Sequence, residues 1–566
     1  MKLNLDFYNE NDNKVEETNK ENIENIFSDF KVNIISWYPF KTNSKILEIG
    51  ADSAEITAEL CQKAEKIISI TSSKKIGQEI LNNNEDKKNL EIIVGNLEDI
   101  KLNEKFDYIT IIGAEKLNIK LKKILEYSKK FLNENGIILL AIDNKLGVKY
   151  FSTLKENGEK ITNLLGKNCY SLNDIENEIK NAGFENKKIY YPLTDYKMTN
   201  VIFTDDFFIS KSNLSRNIDF NEKNTIKFYE QNDLFEELLA EKEVCKYFIN
   251  SFFFEIFSGE VTDNNIKMIS YSNMRKKEYR IKTIVTNKYV YKYPMNSDSE
   301  EHIYRIKENI DLMRKKQINT VDSYDNEKII STYVSEKNFA QILMDTVKDN
   351  KEETIELLKK YKTDILEKLK SDVKGINIFD KYNIEYDKDR VKKLEFTQYG
   401  LWDLIFQNCF YIKKKFYFYD QEWRLENIPI VFIFYRAIKY LNKIKKYIST
   451  KELYAIFDIN DEDIELLDKL DDKIQEEIRD EIAWEYNKNG KSVEQIKIDQ
   501  LTSNHRINLL SIDIENNKNE IICLKNENNS LKAEIIAMKN SKTWKIAEII
   551  RKIKKRKWKE KKWQVD

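Results

Sequence analysis

The chain has 566 residues, long enough for more than one domain. Lysine and arginine total 95 against 96 aspartates and glutamates, so no global field points to nucleic acid. Five scattered cysteines without a CxxC pair, and only two histidines, His302 and His505, argue against a disulfide frame, a zinc site and a His-based triad.

Residues 1–30 are polar and rich in Asn and Glu, and read as a loose arm without the apolar core of a signal peptide. From Ile46, apolar strands alternate with helical stretches: KILEIG, KIISIT, LEIIVG, FDYITIIG and GIILLAID are separated by SAEITAELCQKA, KKIGQEILNN and LKKILEYSKKFLNENG. Wholly apolar strands alternating with helices predict a doubly wound α/β domain with a parallel sheet covered on both faces, over 31–210. Strands within 190–209 close it.

A second pattern follows over 215–445. IKMISYS, EYRIKTIVT and KYVYKYP read as antiparallel strands. Helix-period stretches come next, then a hairpin in FYIKKKFYFYDQEW and a buried helix in IPIVFIFYRAIKYLNKIKKY. Strands first and helices afterwards suggest a two-lobed α+β domain. Residues 446–492 add amphipathic helices. The longest apolar run, residues 428–435, is far too short for a membrane span. The expectation is a cytoplasmic protein unless something anchors it.

Between 493 and 540 a heptad emerges. Its a positions are Ile507, Ile514, Ile521, Asn528 and Ile535, and its d positions Leu510, Asn517, Leu524, Leu531 and Met538. Ile at a with Leu at d favours a parallel dimer, and a buried Asn fixes register. About 34 residues of seam make a spacer of roughly 50 Å. The alternative is one amphipathic helix docked on its own chain. The last 26 residues carry eleven Lys/Arg and three acids, interrupted by Trp544, Ile546, Ile549, Ile550, Ile553, Trp558 and Trp563. A basic amphipathic helix of this kind suits an anionic membrane surface, at roughly 1 kcal/mol per basic residue.

LEIGADSAE, with Glu48 and Gly50 ahead of Asp52 and Ala54, lies at the end of the first strand, where an open α/β sheet binds ligands. It resembles the first motif, E/D-x-G-x-G-x-G, of class I S-adenosylmethionine-dependent methyltransferases, with Asp52 and Ala54 at the later glycine positions. That resemblance implies S-adenosylmethionine as cofactor. The family places an acid for the ribose at the end of the second strand. The matching position here is Thr71. Asn96, with Glu98 and Asp99, would face adenine, Asp107 stands in the next motif, and Asp143 and Asn144 end the fifth strand beside the substrate.

QYGLWDLIFQNCFYIKKKFYFYDQEW resembles the catalytic segment of kinase-like folds. The resemblance makes Asp403 the proton acceptor and Asn408 and Asp420 the magnesium ligands, with Lys292 reaching the phosphates of ATP and Glu308, or Glu301, pairing with it. No glycine-rich loop precedes Lys292, and Leu401 stands where kinases place His.

The order of parts resembles the bifunctional kinase–methyltransferases that terminate O-antigen chains. It implies a glycan or lipid-linked saccharide acceptor, a glycosyltransferase partner, peripheral contact with the inner face of the membrane through the tail, and no nucleic acid. A coiled-coil dimer is favoured over the trimer of that family. The competing reading is a catalytically degenerate scaffold on a coiled-coil stalk.

Overall fold

The computed structural model describes residues 30–148, 150, 153–154, 168–193, 195–207, 226–227, 242–370, 377–480, 525 and 529–562. The chain divides into two compact units, 1–487 and 488–566.

In the first unit, strands β1 (Lys45–Ile49), β2 (Lys66–Thr71), β3 (Leu90–Val94), β4 (Phe106–Ile112) and β5 (Leu132–Asp143) lie parallel in the order β3-β2-β1-β4-β5. Helices Ala54–Lys63, Lys74–Asn83 and Leu121–Phe131 connect them. The hydroxyls of Ser53 and Ser73 cap the first two helices, accepting from the amides of Ile56 and Ile76. β1, β2, β4 and the apolar part of β5 are buried because helices cover the sheet, whereas β3 at its edge is partly exposed. The order reverses between β1 and β4, the point where such sheets take ligands.

The sheet does not end at β5. Ser251–Phe257 pairs antiparallel with β5, and Asn186–Leu193 pairs antiparallel with Ser251–Phe257. Val201–Thr204, Ile266–Tyr271, Ile281–Thr286, Tyr289–Pro294, Ile329–Thr332 and Asp322–Tyr324 continue it to thirteen strands. The division expected between 210 and 215 has no counterpart in this sheet. Residues 251–257 are buried along their whole length because strands flank both edges and elements cover both faces. Within them, Glu255 accepts hydrogen bonds from the hydroxyls of Tyr38 (2.6 Å) and Tyr190 (2.9 Å).

The antiparallel strands expected around 266–294 are present, followed by helix Glu300–Lys315. Helices Phe339–Asp349, Lys351–Leu369, Ile430–Lys439 and Asp461–Ile478 then build the largest hydrophobic cluster. Two antiparallel pairs, Cys409–Ile412 with Lys415–Phe418 and Phe396–Leu401 with Arg424–Pro429, carry the loops that hold the second set of site residues.

In the second unit, residues 529–540 are helical and are followed by helix Lys542–Lys562. Leu531, Ile535 and Met538 of the heptad are exposed on the single chain, as are Ile546, Ile549, Ile550 and Ile553. The heptad positions from Ile507 to Leu524, together with Asn528, and the arm at 1–29 lie outside the described residues. Among the described residues no helix is long and apolar enough to cross a membrane.

Candidate functional sites

The first candidate site lies at the carboxyl ends of β1 to β5. Gly50 has φ +78°, a left-handed conformation that glycine adopts without penalty. Its amide and that of Ala51 both donate to the Ile70 carbonyl, each at 2.9 Å, so the turn is pinned to β2. A Cβ on Gly50 would lie 2.7 Å from Leu117 Cδ2, so the turn after β4 packs directly on this glycine. Lys116, in the same turn, forms an ion pair with Asp52.

Glu48 points into the protein. Its Oε2 accepts from Ser69 Oγ (2.6 Å) and Thr57 Oγ1 (2.9 Å), and burial pushes its carboxyl up to about 7 despite these bonds. Thr71 is buried, and its hydroxyl accepts from the Ser73 amide (3.4 Å) within the turn. Asn96 is exposed at the end of β3, where its amide reaches Asp99 (3.4 Å).

Asp107 is not at the carboxyl ends of the strands. It is the second residue of β4, about 17 Å of strand from the other terminus. Its oxygens accept from the Lys45 amide (2.9 Å) and Asn133 Nδ2 (2.8 Å), which fastens the starts of β1, β4 and β5 together at the opposite end of the strands. The acid at the carboxyl end of β4 is Glu115, whose place in a short turn after the strand hides it from a motif read on strand residues alone. Glu115 accepts from the Tyr196 hydroxyl (2.6 Å) and from the Asp143 amide (3.3 Å). Burial, and then the neighbouring Asp143, push its carboxyl up. Asp143 in turn accepts from Tyr150 (3.1 Å) and Lys197 (3.2 Å). Gly113 (φ +85°) allows this approach, since a Cβ there would sit 2.8 Å from the Tyr196 hydroxyl. Asn144 takes no part: its amide donates to the carbonyls of Tyr247 and Ile249 and ties β5 to the strand that follows. The cluster Glu115–Asp143–Tyr196–Lys197 can accept a proton and donate hydrogen bonds to a hydroxylated or anionic acceptor.

For S-adenosylmethionine, the nucleoside end of this crevice is open at exposed Asn96. The methionine end does not fit as the turns lie, because Leu117 covers Gly50 and the Asp52–Lys116 pair links the two loops that flank the switch point.

The second candidate site gathers Lys292, Asp403, Asn408 and Asp420. Lys292 is buried on its strand and contacts both Asp420 and Glu422. Burial works against its ammonium, but the two carboxylates outweigh it and raise its affinity for the proton. Neither expected helix acid reaches it. Glu308 pairs with Arg424 (3.1 Å) and Glu301 with Arg305 (3.6 Å). The helix turns His302 and Asn309 inward instead, and Glu422, two residues past Asp420, becomes the buried partner. Burial opposes the charge on Glu422 too, yet Arg275 and Lys292 hold it well below the usual carboxylate range.

Asp420 has φ +62°, and its amide donates to Asp322 Oδ2 (3.0 Å). Burial pushes Asp322 up to about 6 against the Ser331 hydrogen bond. Asp403 lies 3.6 Å from Arg436, and burial pushes its carboxyl up to about 7. The Asn408 amide donates to the Asp403 carbonyl (3.3 Å), and Gln421 Nε2 to the same carbonyl (2.8 Å). Among the described residues no group of three or more His, Cys, Asp or Glu side chains is placed to hold a metal ion. As arranged, Asp420 serves the lysine.

No family profile and no curated protein matches the chain. Solved structures similar to it include a SAM-dependent methyltransferase from Thermotoga maritima, at 16% identity over 43% of this chain and 96% of that one, with a TM-score of 0.27. A TehB-like SAM-dependent methyltransferase from Corynebacterium glutamicum is similar at 11% identity over 43% and 97%, with a TM-score of 0.24. The N-terminal domain of EvdMO1 with SAH bound is similar at 14% identity over 26% and 67%, with a TM-score of 0.20.

Proposed function

We propose that the chain is an S-adenosylmethionine-dependent methyltransferase coupled to a kinase-like module, which modifies or caps a surface glycan at the cytoplasmic face of a membrane. The observation that carries this reading is the sheet reversal between β1 and β4, with the left-handed Gly50 turn on one side and the Glu115–Asp143–Tyr196–Lys197 cluster beside it. Bound there, the cofactor would supply an electrophilic methyl group. Thr71 and Asn96 would stand nearest its nucleoside, and the turn Ala114–Leu117 would have to shift to admit the rest. The acceptor would meet Glu115 and Asp143, with Lys197 and Tyr196 orienting it. Convergence of Lys292, Asp403, Asn408 and Asp420 supports a phosphotransfer module using ATP and magnesium. The exposed isoleucines and eleven basic residues of the tail support contact with an anionic membrane, and the heptad supports self-association as a dimer.

A specific observation favours the second reading, a degenerate scaffold of a glycan-assembly complex. Leu117 on Gly50 closes one end of the first site, and Lys292 on Asp420 engages the second on its own side chain. Titration calorimetry separates the two. The enzyme reading expects heat from S-adenosylmethionine, lost in Gly50→Val, and heat from magnesium–ATP, lost in Asp420→Asn. Absence of heat from both ligands with the unaltered protein refutes it.

A further inference from the structure

A cavity of about 680 Å³ opens between helix Glu300–Lys315, strand Arg424–Pro429, the turn Ile378–Lys381 and the end of helix Asp461–Ile478. Small-molecule sites usually measure about 300–1,000 Å³. The cavity backs onto the Lys292 cluster through Glu422, whose charge is already met by Lys292 and Arg275.

Acids outnumber bases in the lining, and ion pairing does not remove the excess. Glu308 is paired with Arg424 (3.1 Å) and Glu301 with Arg305 (3.6 Å). This leaves the carboxylates of Asp380, Glu426 and Glu477, which form no ion pair among the described residues, against the single ammonium of Lys381. Asp380 accepts from the Tyr386 hydroxyl (2.9 Å) and Glu477 from that of Tyr382, bonds that orient these carboxylates without supplying a countercharge. All three acids are exposed, so a ligand can reach them without first breaking a salt bridge.

Aromatic faces line the same space: Tyr279, Tyr304, Tyr382 and Trp423. A cation within about 6 Å of such a ring is attracted by its π face. Two of these rings already hold cations of the protein itself. The Arg275 guanidinium lies 5.3 Å from the centre of Trp423, and the Lys381 ammonium 5.4 Å from that of Tyr382. Tyr304, 56% exposed, remains accessible.

Unpaired carboxylates beside aromatic faces select a cation and repel phosphates and nucleotides. The form of that cation follows from the spacing of the acids. A compact divalent ion needs its oxygens around one point. Among the described residues no three acidic, His or Cys side chains are so placed. Separated carboxylates suit positive charges spread along a chain, each amine donating charge-assisted hydrogen bonds while the methylenes between them cover aromatic surface.

We propose that this cavity binds a linear polyamine, its ammonium groups toward Asp380, Glu426 and Glu477 and its methylene chain across Tyr304. Neither methyl transfer nor phosphotransfer enters the proposal, and different ligands report on them. The full chain is titrated with spermidine, followed by calorimetry and tryptophan fluorescence, with choline and magnesium chloride as separate arms. The expected result is one spermidine per chain, bound about 5- to 10-fold more weakly in Glu426→Gln and in Glu477→Gln, and more weakly as salt rises. Glu185→Gln, an exposed acid outside the lining, should bind as the unaltered protein does and so controls for net charge. Choline, which has no N–H to donate, and magnesium should each fail to displace spermidine at equal concentration. Absence of spermidine binding, several spermidines per chain, equal weakening in Glu185→Gln, or displacement by choline or magnesium overturns the proposal.

Discussion

Glu48→Gln isolates the cost of a buried carboxyl at the heart of the β1–β2 junction. Glu48 is 3% exposed, and burial raises its carboxyl from 4.5 to about 7. In the unfolded chain the group ionises near 4.5, so between that pH and about 7 the unfolded state holds fewer protons than the folded one. Stability therefore falls as pH rises through this window and levels off above it. The full displacement corresponds to about 3.4 kcal/mol. About 2.5 kcal/mol of it is lost between about pH 5 and about pH 8, or about 70-fold in an opening equilibrium. Glutamine keeps the volume and an oxygen for Ser69 and Thr57 but does not titrate. Hydrogen-exchange mass spectrometry on peptides covering 45–71 reads this opening locally, without requiring a two-state transition of the whole chain. After correction for intrinsic exchange, the unaltered protein should lose about 70-fold more protection from pH 5 to pH 8 than the variant. Equal losses in the two proteins would refute a buried, proton-bearing Glu48.

Lys292→Met should leave Glu422 and Asp420 short of a cation and cost about 3–5 kcal/mol, seen as a fall in the calorimetric melting temperature; an unchanged melt would show that the lysine is not structural. Asp52→Asn removes a half-exposed pair and should change stability by no more than about 1 kcal/mol. If that pair restrains the crevice, the same variant binds S-adenosylmethionine more tightly in calorimetry, and weaker binding contradicts the restraint. Removing residues 541–566 should abolish cosedimentation with phosphatidylserine vesicles, and the intact chain should lose it progressively with salt; salt-independent retention would rule out a charge-driven contact.

The five parallel strands were legible because each carries a mainly apolar run between helical stretches, a pattern that a covered sheet imposes. The end of the sheet was not. SFFFEIF shows no alternation that would assign it to one lobe or the other, and only three-dimensional pairing places it beside β5. Asp107 misled because an acid at the start of an apolar strand looks the same in sequence as one at its end, whereas the sheet's polarity separates them. Glu115 and Tyr196 come together from positions 81 residues apart and carry no local spacing signal. The grouping of Lys292 with Asp420 was readable from the kinase-like resemblance, but its second carboxylate was not. Glu308 has the right chemistry on the right helix, yet the rotation of that helix directs it to Arg424 and leaves Glu422 to fill the buried position.

The late arrival of residues 251–257 in the sheet also governs how the protein is made. A ribosome releases β1 to β5 well before it releases the strand that covers the edge of β5. Until then the nascent chain displays a long apolar edge able to pair with any neighbouring strand. Synthesis halted near residue 210 would thus yield an adhesive product and not an independent domain. The two halves share a single moment of completion, and a genetic split of the chain that preserves the fold of the parallel strands would have to fall beyond residue 257.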